Sequence, residues 1–206
     1  MDNRLFIGIL TCKKYTDRVI KQREYLSKCP YNYRYFLGDT NIKEDTEDKS
    51  TNIVTLKIDD NYESLVLKVH RMIQWILNHY PNIRYILKTD DDIIFNFDEM
   101  KTIFNDIDKN KISYAGAVAP HQGTCQSSYH FGRCFDKQID KTLVTMDNYK
   151  YCSGGGYFVD NNSSRILANN LHNNNCIYED YSVGKTLALH GVLPHNIDVK
   201  KCCLWI

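Results

Sequence analysis

The chain has 206 residues, 43% of them hydrophobic, and a formal net charge of +1. That length suits one domain with a sizeable core, and the near-neutral balance excludes a global electrostatic attraction to nucleic acid or to an acidic membrane surface. No run approaches the roughly eighteen apolar residues of a membrane-spanning helix, and Met1–Thr11 enters a strand-like run without a cleavage-site pattern, so a cytoplasmic or otherwise soluble setting is expected.

Leu5–Leu10 is a continuous apolar run, as in a strand buried on both faces. Thr16 or Asp17 can cap a helix reaching about Ser27, with Val19, Ile20 and Leu26 inward. Tyr33–Leu37 and Ile53–Ile58 read as strands, with the charged Lys43–Ser50 between them as a solvated loop. Asp59-Asp60-Asn61 offers caps for the clearest helix, in which Tyr62, Leu65, Val66, Val69, Met72, Ile73, Ile76, Leu77 and Tyr80 keep the 3.6 period and Pro81 follows. Another helix carries Met100, Ile103, Phe104 and Ile107, and Tyr114–Val118 is a strand. This strand–helix alternation predicts a mostly parallel α/β sheet.

From Ala119 to Lys150 the periodicity fades, which predicts loops and hairpins; a segment this long is commonly functional. Gly154-Gly155-Gly156 precedes a strand at Tyr157–Val159 and reads either as a tight turn or as backbone that lets a ligand approach closely. Helices are expected at Ser163–His172 and Glu179–His190, the latter stopped by Gly191 and Pro194. Ile197–Ile206 reads as a closing strand. The eight cysteines contain no Cys-x-x-Cys pair, which disfavours structural zinc. Cys125 and Cys134 are the pair expected in an oxidising compartment; without an export signal, reduced thiols are expected.

The chemistry concentrates in Leu87-Lys88-Thr89-Asp90-Asp91-Asp92-Ile93-Ile94-Phe95, where an apolar strand ends in three carboxylates. Ligands of open α/β sheets bind beyond the carboxyl ends of strands. Three adjacent like charges require solvent or a cation, and Mg²⁺ or Mn²⁺ shares oxygen ligands with a nucleotide's phosphates. A metal–nucleotide site is therefore expected here, against the alternative of a solvated acidic turn. The stretch lacks the glycine and the final glutamate of a calcium EF-hand loop.

With these pieces in order, the chain resembles the Fringe and β1,3-galactosyltransferase family of GT-A glycosyltransferases. The signals are Phe36-Leu37-Gly38, Asp60-Asn61-Tyr62-Glu63-Ser64-Leu65-Val66-Leu67-Lys68, the aspartate triplet, Tyr151-Cys152-Ser153-Gly154-Gly155-Gly156-Tyr157 and Glu179-Asp180-Tyr181-Ser182-Val183-Gly184. They span about residues 5 to 195. The family's arginine- and tryptophan-containing motif after the first strand is poorly matched by Asp17–Glu24. The resemblance implies a single GT-A domain, with a nucleotide-binding half at about 1–118 and an acceptor-side half at about 119–206. It also implies a metal-dependent, inverting transfer of a hexose or N-acetylhexosamine from a UDP-sugar to a glycan hydroxyl, forming a β1,3 linkage.

Carried over residue by residue, Asp92 is the direct metal ligand, Asp90 faces the ribose or donor sugar, and Asp91 acts behind them or on the sugar. A histidine near the C-terminus completes the metal set in this family; His195 is the choice by position, with His190 next and an ordinary loop histidine as the alternative. Imidazole makes Mn²⁺ the favoured ion over Mg²⁺. Asp180 is the candidate base, with Glu179 beside it to raise its pKa or to take the role itself; the competing role for Asp180 is helix capping. Gly154 and Gly155 would meet the donor or acceptor, Lys68 the phosphates unless it is merely solvated, and Thr11 the nucleotide base. Two rivals are a non-catalytic nucleotide-sugar or glycan-binding module on the same fold, and a metal-dependent nucleotidyltransferase, which would release pyrophosphate rather than UDP.

Overall fold

A computed structural model describes residues 2–119, 123–199 and 203–205. In chain order the elements are β1 (Asp2–Leu10), α1 (Thr16–Leu26), β2 (Tyr31–Gly38), β3 (Thr46–Asp48), β4 (Ile53–Leu56), α2 (Leu65–His79), β5 (Tyr85–Asp90), β6 (Ile93–Phe95) and α3 (Phe97–Lys109). There follow β7 (Tyr114–Val118), β8 (Cys125–Ser127), β9 (Val144–Met146), β10 (Cys152–Asp160), α4 (Asn161–Asn170), α5 (Glu179–Leu189), β11 (His195–Asn196) and β12 (Cys203–Trp205). The main sheet runs β11-β7-β10-β5-β1-β2-β4-β3. Its centre, β5-β1-β2-β4, is parallel, while β10 lies antiparallel between β5 and β7.

The run at the start of the chain is buried on both faces for the reason its composition gives. Leu5, Ile7 and Ile9 point to one layer with Val19 and Leu26 of α1 and Met100, Phe104 and Ile107 of α3. Phe6 and Leu10 point to the other, with Val69, Met72, Ile73 and Ile76 of α2, Leu167 of α4 and Val183 and Leu187 of α5. Side chains alternate across a strand, so one β1 organises both layers.

Several local expectations are corrected. Ile20 is exposed, and Gln22 takes the buried inward place on α1. The α1 N-cap is Tyr15, with no side-chain cap bond, and Thr16 instead donates to Lys13 O. The α2 N-cap is Ser64, with no side-chain cap bond, rather than any of Asp59, Asp60 and Asn61; Asn61 accepts from Ser64 N–H at 3.0 Å in the turn before the helix. Lys43–Ser50 contains the short edge strand β3, paired with β4. The triple glycine lies within β10, and the register of β10 against β7 shifts between Cys152 and Tyr157.

The irregular region does form a hairpin-like pair, β8 with β9; residues 120–122 lie outside the described residues. His195 sits in β11, not in a loop. Of the expected closing strand, only Cys203–Trp205 is seen, paired with β6, and 200–202 and 206 lie outside the described residues. Cys134 is a free, buried thiol, so no Cys125–Cys134 bridge forms. Among the described residues no helix is long and apolar enough to cross a membrane.

Candidate active site

The carboxyl end of β5 opens on a cavity of about 420 Å³, closed on its other sides by the start of α2, the 127–151 region, β10 and the first turn of α5. Asp90, Asp92, Gly154, Gly155, Glu179 and Asp180 all line it. These residues come from three places in the sequence, and sheet order explains their meeting. Strand β10 pairs directly with β5, Gly156 facing Thr89. Helix α5 then packs back on the segment before β10, where a Cβ on Gly184 would collide with Tyr151.

The aspartate turn is fixed from below. The buried Gln22 amide donates to Asp90 O at 3.1 Å and to Ile93 O at 2.5 Å, bridging the two ends of the turn. Asp91 points inward: its Oδ2 accepts from Thr11 Oγ1 at 2.7 Å and its Oδ1 from Arg18 at 3.2 Å. Thr11 and Asp91 are both buried, and neither lines the cavity. The expected contact of Thr11 with a nucleotide base is not made available by this geometry.

Lys68 is likewise neither solvated nor free for phosphate. Its side chain is 2% exposed, with Nζ 2.6 Å from Asp60 Oδ1 and donating to Thr11 O at 3.0 Å. Asp60 also accepts from the amides of Gly38 and Lys13. The pair therefore ties α2 to the ends of β1 and β2.

Asp92 keeps its place at the cavity. Arg18 approaches its Oδ2 at 3.3 Å. Its Oδ1 is buried and has no hydrogen-bond partner. Burial, and then the neighbouring Asp90, push its pKa up. An orphaned carboxylate oxygen fits a ligand position for a divalent cation, and Mg²⁺-type ions commonly take one or two carboxylates with the rest from phosphate and water. The described residues contain no group of three or more His, Cys, Asp or Glu side chains able to hold a metal ion by themselves.

His195 does not join Asp92. Strand β11 is three strands from β5, and the register places His195 opposite Ala115, which faces Phe158, which faces Leu87, three residues before Asp90. The runner-up His190 lies past the far end of α5, where its ring bonds Thr186 O at 2.8 Å. Neither histidine lines the cavity.

The two acidic residues that open α5 have different surroundings. Glu179 is buried: Lys88 Nζ lies 2.6 Å from Oε1, and Tyr157 donates to Oε2 at 3.1 Å. Burial, against the pull of Lys88, raises its pKa to about 7. Asp180 is half-buried, accepting from Gly154 N–H at 3.2 Å and from Tyr181 N–H at 2.8 Å. Burial raises its pKa, partly offset by those amides and by Lys88. The N-cap residue of α5 is Tyr178, with no side-chain cap bond. Asp180 thus serves a first-turn amide without being the cap, and it still faces the cavity.

Lys88, quoted in the motif but given no role from the sequence, is the hub. Its Nζ also reaches Gly154 O at 2.6 Å and Asp90 Oδ1 at 3.0 Å. Burial alone would lower its pKa, but Asp90 and Glu179 together raise it. A Cβ at Gly154 would stand 3.1 Å from Glu179 Oε1, tight enough that the Glu179 carboxylate would have to shift by a few tenths of an ångström. Arg18 also lay in a stretch matched poorly to the family motif, yet it meets the aspartate turn.

A parallel α/β centre, an aspartate turn at a strand's carboxyl end and a second carboxylate on a facing helix define the GT-A glycosyltransferase architecture. A solved structure with this fold is a glycosyltransferase involved in the glycosylation of the major capsid of PBCV-1, with a TM-score of 0.56 and 16% identity over 95% of this chain and 82% of that one. Residues 33–198 match the galactosyltransferase family, and the chain belongs to it. It is 23% identical to beta-1,3-galactosyltransferase 5 of Mus musculus over 81% of this chain and 55% of that protein. It is 27% identical to a UDP-GalNAc:beta-1,3-N-acetylgalactosaminyltransferase 1 of Sus scrofa over 66% of this chain and 40% of that protein. The chain spans about half the length, or less, of these curated relatives.

Proposed function

We propose that the protein is a metal-dependent, inverting glycosyltransferase that moves a hexose or N-acetylhexosamine from a UDP-sugar to a glycan hydroxyl, forming a β1,3 linkage. The observation that carries this is the pairing of Asp92, with its orphaned oxygen, and Asp180 on one cavity. The family supports the sugar transfer, and the relatives' names support the UDP donor and the β1,3 linkage.

Asp92, with Asp90 beside it, would hold the cation, Mn²⁺ or Mg²⁺. When bound, such an ion neutralises charge growing on a departing diphosphate. The chain's own residues supply the rest. Asp180 accepts the acceptor hydroxyl's proton; burial raises its pKa toward the working range of a general base. Attack of that oxygen opposite the departing UDP inverts the anomeric centre. Whereas Asp180 is half-buried and accepts from backbone amides, Glu179 is the poorer base, because it is buried and ion-paired with Lys88. Its part is to hold Lys88, which fixes Gly154 and Asp90 on either side of the cavity.

The test is Asp180→Asn, assayed for donor affinity, turnover and melting on one preparation. The amide keeps one oxygen, enough for the Tyr181 N–H or the Gly154 N–H but not both, so melting should fall modestly while the fold persists. Turnover should fall by roughly a hundredfold to ten-thousandfold, the worth of general-base assistance, with UDP-sugar affinity nearly unchanged. Wild-type turnover per folded molecule would remove Asp180 from the chemistry.

A further inference from the structure

Among the described residues lining the cavity, Arg133 is a cation without a part in the proposed transfer. Arg133 is exposed, lines the cavity and stands on two aromatic rings, 3.9 Å from the Tyr129 centroid and 5.9 Å from that of Tyr62. Among the described residues it has no carboxylate within ion-pair distance, although Asp90, Asp92, Glu179 and Asp180 line the same cavity. Its charge raises the question of what it meets.

The segment bearing it is held in place. Glu63 accepts from the amides of Phe135 at 3.1 Å and Asp136 at 2.7 Å. Cys134 N–H donates to Asp140 at 3.0 Å. The buried His130 bonds Tyr178 OH at 2.7 Å and Ile139 O at 3.0 Å, so the loop is latched to the residue that opens α5. A guanidinium kept on such a frame loses little freedom when it binds a ligand.

Its position distinguishes two sides of the cavity. His130, in the same loop, bonds Tyr178, the residue before Glu179 and Asp180, which sets Arg133 toward the α5 side of the cavity, where the acceptor hydroxyl would lie. Arg18 stands instead on the aspartate turn, where the donor would bind. A neutral sugar leaves a guanidinium that has no carboxylate partner without a counter-charge, whereas a carboxylate or sulfate offers its fork two oxygens for parallel hydrogen bonds. Tyr129, 66% exposed, leaves ring surface for a sugar face beside that fork.

We propose that Arg133, with Tyr129 and Tyr62, forms a subsite for an acidic group on the acceptor glycan, a carboxylate or a sulfate carried near the hydroxyl that Asp180 deprotonates. This deepens the transferase proposal and rests on it for the word acceptor. The binding test does not depend on turnover.

UDP-saturated protein is titrated with methyl β-glucuronide, methyl β-glucoside and galactose 6-sulfate, followed by ligand-observed NMR. One or both acidic sugars should bind about tenfold tighter than the neutral one, the size of one charge-assisted contact at a half-open site. The two acidic arms separate carboxylate from sulfate. Arg133→Gln should erase the preference, Arg133→Lys should keep part of it, and UDP affinity should stay within about twofold in both. Equal binding of acidic and neutral sugars by the wild type would overturn the subsite, as would loss of UDP affinity in Arg133→Gln, which would assign the residue to the diphosphate. Glucuronide binding that depends on Arg133, with no UDP released from any UDP-sugar, would leave the acidic-sugar site standing and remove the transferase proposal instead.

Discussion

The two walls of the cavity are built on opposite principles. The turn after β5 is sewn from beneath: Gln22, Thr11, Arg18 and Lys88 each engage its backbone or carboxylates, and Asp91 is buried. The facing segment, 123–150, holds itself with local turns and a few latches and leaves Tyr129, Phe131 and Phe135 exposed at 66%, 46% and 82%. A group that must hold one geometry for charge sits on rigid elements. Recognition of a variable partner sits on a loop, which changes without disturbing the core. The difference teaches that substitutions on the first wall should act on stability or on donor binding, and those on the second on acceptor choice alone.

The hardest blow to the first wall is Lys68→Met. It leaves Asp60 without its buried cation and frees Thr11 O. Breaking such a pair costs about 3 kcal/mol, read as a lowered denaturant midpoint. UDP affinity per folded molecule should be unchanged, because Lys68 does not line the cavity. A stable variant that has lost UDP would restore Lys68 as a phosphate contact.

Asp92→Ala should weaken UDP binding in Mn²⁺ by about a hundredfold, near the upper end of what disturbing a metal's surroundings costs. Calorimetry in Mn²⁺ and in EDTA checks this. Equal affinity in the two buffers for the wild type would end the metal proposal.

A third prediction uses pH. Glu179, raised by burial to about 7 from an ordinary 4.5, is protonated below that point and then releases its ion pair with Lys88. Turnover should therefore rise about tenfold for each unit of pH below about 7 and level off above it. The sign for stability is opposite. A carboxyl whose folded pKa is raised contributes stability that is complete below about 4.5 and lost as pH climbs through about 7. Glu179→Gln should flatten both trends, measured by initial rates and by melting across pH 5 to about 8.

The smallest effect belongs to the second wall. Tyr129→Ala should shift stability by less than about 0.5 kcal/mol, as at an ordinary surface position. Acceptor KM should rise severalfold with donor KM unchanged. A change in donor KM alone would erase the division between the walls.

The sequence made one kind of information plain and hid another. The two-faced burial of β1 and the inward stripe of α2 follow from residue periodicity, and both are as expected. Asp90, Asp92, Gly154, Gly155, Glu179 and Asp180 stand in recognisable motifs, and the fold brings them to one cavity. Long-range polar partners were not legible. Lys68 reads as a surface lysine until Thr11 O, 57 positions away, is known to be its acceptor. Gln22 sits on a helix whose apolar pattern suggested Ile20, and its buried amide is explained only by the distant turn it bridges. His195 suits a metal ligand by its place near the C-terminus, but strand order puts β11 at the sheet edge. The glycines read as a turn because local rules cannot see β5 and Lys88 alongside them in the sheet.

The most direct measurement is of the products made by the wild-type protein. Incubated with Mn²⁺, a panel of UDP-sugars and simple sugar acceptors, it should release UDP in step with acceptor consumption, and NMR of the new glycoside should show the anomeric configuration opposite to that of the donor. Release of pyrophosphate would make it a nucleotidyltransferase. Tight UDP binding with no turnover on any pair would make it a binding module, and either result would contradict the proposed transfer.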